Sequence, residues 1–239
     1  MASLRRLKNK SDVILSEVIS SFNDFFKDQK KTVGVTVGLS GGVDSMVLLN
    51  VLFQLKTKLN LKLNAIHIHH GLSKNADHWC EVCLDECKKL GVDFSQKNIN
   101  IDNSEGIGIE AAARKARYQM LHQLSDEFLA TAHHQNDQAE TLMLQLLRGS
   151  GLKGLASMPL FDKERRLWRP FLKISRDTIE EYAKNNNVRF VEDESNQNTE
   201  FDRNFLRLEI FPRLIKRFPQ TIKSLGRSAD LVAEGLNLN

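Results

Sequence analysis

Apolar positions along the chain recur at two periods in turn. From Asp12 to Phe26, Leu15, Val18, Ile19, Phe22, Phe25 and Phe26 fall on one helical stripe, which predicts an amphipathic helix packed on a sheet. Val33-Gly34-Val35-Thr36-Val37 then alternates as a strand does, and Met46 to Leu52 opens a helix reaching about Leu55. Further strands are predicted at Leu63–His70, near Val92–Ile101 and at Phe128–Ala132, with a short one at Leu167–Leu172 ended by Pro170. Helices are predicted around Cys80–Cys87, over the alanine-rich stretch from Glu110 to Tyr118, from near Asn136 to Leu147, and from Ser175 to about Asn187. A basic amphipathic helix begins at Asp202, breaks near Pro212 and Pro219, and gives way to a last helical stretch ending at Leu236. Strands alternating with helices point to an α/β domain with a parallel sheet, and 239 residues are enough for one such domain plus an appendage.

Between the first strand and its helix lies Ser40-Gly41-Gly42-Val43-Asp44-Ser45. Two glycines let the backbone turn so that successive N–H groups face one concavity at the positive end of a helix, which makes an anion cradle. Phosphate loops of the Walker type carry Lys just before the Ser/Thr, whereas here the residue is Asp44. A carboxylate meets phosphate only through a cation, so a bound Mg²⁺ is implied.

Composition adds little by itself. Hydrophobic residues are 41% and charged residues 27%, as in ordinary globular chains. No run approaches the ~18 apolar residues of a membrane span, and the start lacks the apolar core of a signal peptide, so the expected location is cytoplasmic. The net charge of +4 does not by itself require nucleic acid. Its cations cluster at the ends, Arg5, Arg6, Lys8 and Lys10 at one and Arg203, Arg207, Arg213, Lys216 and Arg217 near the other.

Three further groups carry candidate chemistry. His67 and His69 share one strand face and His70 the other, so they form no ready ligand set; His69 or His70 suits a nucleotide edge or a purely structural bond equally. Cys80, Cys83 and Cys87 sit in one helix, readable as buried small side chains or as reactive sulfur. In His133-His134-Gln135-Asn136-Asp137-Gln138-Ala139-Glu140-Thr141, Asp137 and Glu140 lie one turn apart on one helix face, and a second carboxylate facing Asp44 would complete a Mg²⁺ shell.

The phosphate loop in its strand–turn–helix setting resembles that of the N-type ATP pyrophosphatases, which cleave ATP between the α and β phosphates. Taken in order with His69-His70-Gly71-Leu72, Gly108-Ile109-Glu110-Ala111-Ala112-Ala113-Arg114, the His-His-x-x-Asp-Gln-x-Glu-Thr run, Arg148-Gly149-Ser150-Gly151, Arg169-Pro170-Phe171-Leu172, Asp193-Glu194-Ser195-Asn196 and Arg203-Asn204-Phe205-Leu206-Arg207, the chain resembles the tRNA(Ile)-lysidine synthetase family from about Thr32 to Pro212. Asn136 stands where that family more often has Asp.

The resemblance implies a Rossmann-like parallel sheet of the adenine nucleotide alpha-hydrolase type, flanked by helices and followed by a helical connector. It divides the chain into a basic segment and helix at 1–31, a catalytic domain at 32–203 and a linker at 204–239 toward tRNA-binding domains. It implies ATP and Mg²⁺ as cofactors, and as partners tRNA(Ile) with a CAU anticodon and L-lysine, with no membrane and a possible homodimer. Residues Ser40, Gly41, Gly42, Val43, Asp44 and Ser45 would hold the pyrophosphate, and Asp44 and Asp137 the Mg²⁺. Arg114 would clamp phosphate or AMP, and His133 would act on the nucleotide or in acid–base chemistry. Glu140 would orient a ligand or bind the lysine ammonium, while Arg203 and Arg207 would meet tRNA or the adenylate. A tRNA thiolase of the same superfamily and a nucleotide- or RNA-binding module without catalysis are the alternatives.

Overall fold

The computed structural model describes residues 10–27, 29, 31–69, 74–98 and 128–237. Among these residues six strands form one sheet in the order β3-β2-β1-β4-β6-β5. They are β1 (Val33–Leu39), β2 (Leu61–His69), β3 (Asp93–Asn98), β4 (Phe128–Ala130), β5 (Phe161–Asp162) and β6 (Leu167–Trp168). All neighbours run parallel except β5, which pairs antiparallel with β6. The fold is therefore the Rossmann-like α/β arrangement. A two-residue strand has no periodicity to read, which is why β5 escapes sequence analysis.

Strand β1 is central: β2 and then β3 lie to one side of it, and the chain crosses to the other side for β4. Such a switch point opens a crevice at the carboxyl ends of the strands. The loop after β1 and the start of the helix after β4 both border it.

The core follows from the patterns. Val33, Val35, Val37 and Leu39 of β1 are buried, and helix α2 (Val43–Leu55) is apolar on nearly every face because the sheet and other helices enclose it. Helix α1 (Lys10–Phe26) buries Ile14, Val18, Ser21, Phe22 and Phe26. This corrects the expected stripe by about one position: Ile14 lies inside, Leu15 and Ile19 are only partly covered, and Phe25 is exposed although it stacks on Phe161 at 4.8 Å. Trp168 fixes the phase, packing edge-on against Phe22 and Phe26 while its indole N–H donates to Ser21 Oγ at 2.7 Å.

Other boundaries shift for local reasons. Strand β3 ends at Asn98 within the described residues, and the alanine-rich stretch carrying Arg114 lies outside them, as does His70. Helix α3 (Ala76–Leu90) carries all three cysteines, free and buried, and closes at Gly91 with φ +61°.

Helix α4 (Gln135–Leu147) is followed by the short α5 (Leu152–Leu155) and by α6 (Arg176–Asn185), whose Ser175 cap accepts from the Thr178 amide. The break expected at Pro212 is absent. Instead α7 (Asp202–Phe205) passes through a π turn at Leu206–Ile210 into α8 (Phe211–Arg217). The wider turn, closed by the Phe211 amide on the Leu206 carbonyl, brings Pro212 into the first turn of α8, where its missing N–H costs no bond. The chain leaves the helix at Phe218, before Pro219. Helix α9 (Thr221–Asn237) lies against α4 and α5, with Ala139, Leu206 and Phe211 in a second small core beneath Ile222 and Leu225. Among the described residues no helix is long and apolar enough to cross a membrane.

Candidate active site

The loop after β1 is a closed hydrogen-bonded turn. Ser45 Oγ donates to the Gly42 carbonyl at 3.0 Å and accepts the Ser40 amide at 3.2 Å, and the Gly42 amide donates to Ser40 Oγ at 3.3 Å. Gly42 caps α2, so Val43, Asp44 and Ser45 form the helix's first turn, where backbone N–H groups lack internal partners. Gly41 has φ +87°, and its carbonyl accepts the Val191 amide at 2.9 Å.

A Cβ on Gly41 would stand 2.9 Å from Val191 Cγ2, with Cys83 Sγ and Trp79 Cβ each at 3.6 Å. Gly41→Ala therefore combines a disfavoured φ with a clash. The expected result is a loss of about 1–3 kcal/mol of stability, read by denaturant unfolding, together with weaker nucleotide binding.

Across the crevice, α4 is capped by a histidine. The His134 amide donates to Asp137 Oδ2 at 2.9 Å, while His134 Nδ1 faces the Asp137 amide at 3.4 Å, the reciprocal arrangement of a capping box. The imidazole is 2% exposed, and its Nε2 faces Asp44 Oδ2 at 3.6 Å. Burial disfavours its charged form, but Asp137, Asp44 and Glu140 outweigh that and raise its pKa above the ordinary 6.5.

Asp137 is pushed the other way. Burial alone would raise its pKa, yet His134, Arg203 and His133, with the His134 amide, hold it well below the usual carboxylate range. A depressed carboxylate pKa contributes stability that is present above the unfolded value of 3.8 and is lost as pH falls toward the folded value. The stability gap between the native chain and Asp137→Asn should thus be widest near neutrality and shrink from about pH 5 to pH 3, as urea unfolding across that range will show.

One turn on, Glu140 is 1% exposed and both its oxygens are taken. Arg203 Nε donates to Oε2 at 2.5 Å, and Arg207 donates Nε to Oε1 at 2.7 Å and Nη2 to Oε2 at 3.0 Å. Arg203 Nη2 also reaches Asp137 Oδ1 and the Asp137 carbonyl, each at 3.1 Å. Both arginines can converge because four residues span one helical turn. Burial opposes the charge of Arg207, but Glu140, with Asp137 and Asp44 behind it, raises its pKa.

Asp44 Oδ1 is buried and makes no hydrogen bond among the described residues. A hard cation suits such an oxygen, and Asp44 fits a Mg²⁺ site on that ground. Asp137 has one oxygen on the His134 amide and the other on Arg203, so it would share a cation only through its remaining lone pairs. Among the described residues no cluster of three or more His, Cys, Asp or Glu groups could hold a metal.

These groups border a pocket of about 260 Å³ at the carboxyl ends of β1, β2 and β4. Ser40, Asp44, Ser45, His133 and Asp137 line it, with Leu39, Ile66, Ile68 and Trp79 as its apolar wall. His67 and His69 line it too: His67 Nδ1 is 3.0 Å from the Leu39 carbonyl and His69 Nε2 is 3.0 Å from Asp77 Oδ1. His133 Nδ1 is 2.9 Å from Thr131 Oγ1.

Three contributors were missed in sequence. His134, not only His133, links the two halves of the site; its signal was its place immediately before a helix with Asp three residues later. Asp193 enters the pocket from the loop after α6, and Val191 of that loop backs Gly41. Asn136 is engaged at the start of α6, where its Oδ1 accepts the Arg176 amide at 3.1 Å.

A family model described as a PP-loop domain matches residues 14–214. Curated proteins named tRNA(Ile)-lysidine synthase are similar: that of Haemophilus ducreyi is 47% identical over 169 residues, 69% of this chain and 39% of the relative. Those of Chromobacterium violaceum and Coxiella burnetii are 44% and 45% identical over 174 residues, 72% and 71% of this chain and 40% and 39% of theirs. The chain thus spans about two fifths of the length of these relatives. Among solved structures, the U34-tRNA thiolase NcsA from Methanococcus maripaludis superposes with TM-score 0.75 at 20% identity, covering 93% of this chain and 80% of that one. NMN synthetase from Francisella tularensis superposes with TM-score 0.54 at 12% identity, covering 93% and 95%. At such identities the likeness is one of fold.

Proposed function

The chain belongs to the PP-loop family, and from that premise we propose that it carries the catalytic site of a tRNA(Ile)-lysidine synthase. The observation that carries this reading is the 44–48% identity with proteins of that name over 69–72% of the chain. In this reading the C2 oxygen of the wobble cytidine in a CAU anticodon attacks the α-phosphorus of ATP, and pyrophosphate leaves. The ε-amine of free lysine then attacks C2, loses a proton, and AMP departs with the oxygen.

The residues suit such chemistry because a carbonyl oxygen is a poor leaving group until it is esterified, after which holding the reactants in line does most of the work. The loop Ser40–Ser45 supplies N–H groups for the departing pyrophosphate. A Mg²⁺ ion bound to Asp44 and the phosphates would neutralise charge that builds on them. Of the two acids only Asp137 lines the pocket; Arg203 is bonded to it and, with Arg207, to Glu140 behind it, and from there the guanidinium groups would reach the adenylate or the RNA backbone. His133, at the mouth of β4, would act on the nucleotide or take the proton of the amine. Arg114 keeps its place in this reading as a phosphate clamp.

Thiolation is less favoured. Burial pushes the Cys83 and Cys87 thiols up to about 12, far from the reactive thiolate a sulfur carrier needs.

The test is tRNA-dependent ATP–pyrophosphate exchange and incorporation of labelled lysine into a CAU-anticodon tRNA. Exchange and lysine transfer that need the CAU anticodon, and that persist within about twofold in Cys83→Ala, are expected. Sulfur transfer in place of lysine, or turnover that dies with Cys83, would overturn the reading.

A further inference from the structure

His134 has two ring nitrogens, and the structure gives each a different task. Nδ1 faces the Asp137 amide at 3.4 Å and completes the cap of α4. Nε2 faces Asp44 Oδ2 at 3.6 Å, across the crevice and on another helix. That distance is an ion-pair contact just beyond hydrogen-bond range, and a shift of a few tenths of an ångström closes it. The other oxygen of the same carboxylate, Oδ1, is the buried atom with no partner among the described residues.

We infer that His134 is a positioning residue: it holds Asp44 Oδ2 and so keeps Oδ1 as the oxygen that binds the divalent cation arriving with the nucleotide. The inference rests on the nucleotide-binding reading proposed above. A carboxylate on a short side chain can rotate about its last bond, and an unrestrained Asp44 would present either oxygen in turn. A donor fixed on α4 removes that freedom. At 2% exposure the imidazole cannot swing away to solvent, so the restraint comes with the folded core and not with the ligand.

Two substitutions separate the tasks. Asparagine reproduces the Nδ1 position and is itself a good helix cap, but it falls short of Asp44. Glutamine reproduces the reach of Nε2 but is a poor cap. The measurement is Mn²⁺ binding by electron paramagnetic resonance in the presence of α,β-methylene-ATP, with melting temperature recorded alongside.

His134→Asn should keep its melting temperature and bind Mn²⁺ at least about tenfold more weakly, the usual cost of losing an outer partner of a ligand. His134→Gln should bind Mn²⁺ within about threefold of the native chain but melt roughly 2–4 °C lower, as loss of a cap does in a chain of this size. Unchanged Mn²⁺ affinity in His134→Asn, or equal losses in both variants, would overturn the inference and leave His134 a structural cap. Failure of the native chain to bind the nucleotide with Mn²⁺ would overturn the nucleotide-binding reading first, and the inference with it.

Discussion

On the proposed function, Asp44→Asn is expected to lower tRNA-dependent pyrophosphate exchange by about 10³-fold or more while leaving the fold in place, the largest effect expected of any substitution in the chain. A factor of 10³ corresponds to about 4 kcal/mol of lost transition-state stabilisation. The amide keeps the size of the carboxylate and can still meet His134 Nε2, so the loop and both helix starts retain their geometry. It removes the charge that a cation requires, at the one buried oxygen without a partner among the described residues. Stability should change little, since Asp44 is 30% exposed and the amide keeps its size and shape. Exchange within tenfold of the native value, in a protein that unfolds normally, would remove Asp44 from the cation site.

Glu140→Ala is the substitution expected to cost the most stability. Glu140 is buried and accepts three bonds from two guanidinium groups, and removing it leaves both cations facing one another beside Asp137. Breaking a buried ion pair costs about 3–5 kcal/mol. The lower end applies here, because Arg203 and Arg207 are 24% and 25% exposed and partly regain water. A loss of about 3 kcal/mol means a melting temperature lower by roughly 6–12 °C for a chain of this size. Thermal unfolding followed by circular dichroism reads it directly. A drop under 1 °C would show that the arginines are held by other means.

Much of the fold was legible because its signals are local. The alternation in Val33–Val37, the glycine turn and the apolar run from Met46 each depend on neighbouring residues alone, and β1 and α2 stand where they were expected. The helix at Cys80–Cys87 was equally legible, and its sulfurs point inward. What failed depended on partners far along the chain. The phase of α1 was set by Trp168, 147 residues beyond its bonding partner Ser21, and the helix through Pro212 by a π turn that no residue type announces.

The sequence by itself determined that a glycine turn would open a helix after the first strand, that Asp44 would stand in the first turn of that helix, and that Asp137 and Glu140 would share a helix face. These are consequences of backbone sterics, charge and helical spacing, which act within a few residues. Only the tertiary structure decided that the two carboxylates serve different ends. The switch point beside β1 carries the start of α4 to the loop after β1, so that His134 meets Asp44 across the crevice. The return of the chain at Asp202 then buries Glu140 beneath two arginines that lie more than sixty residues away in sequence. Contacts of that kind arise from the packing of elements already formed, and the order of residues along the chain does not record them.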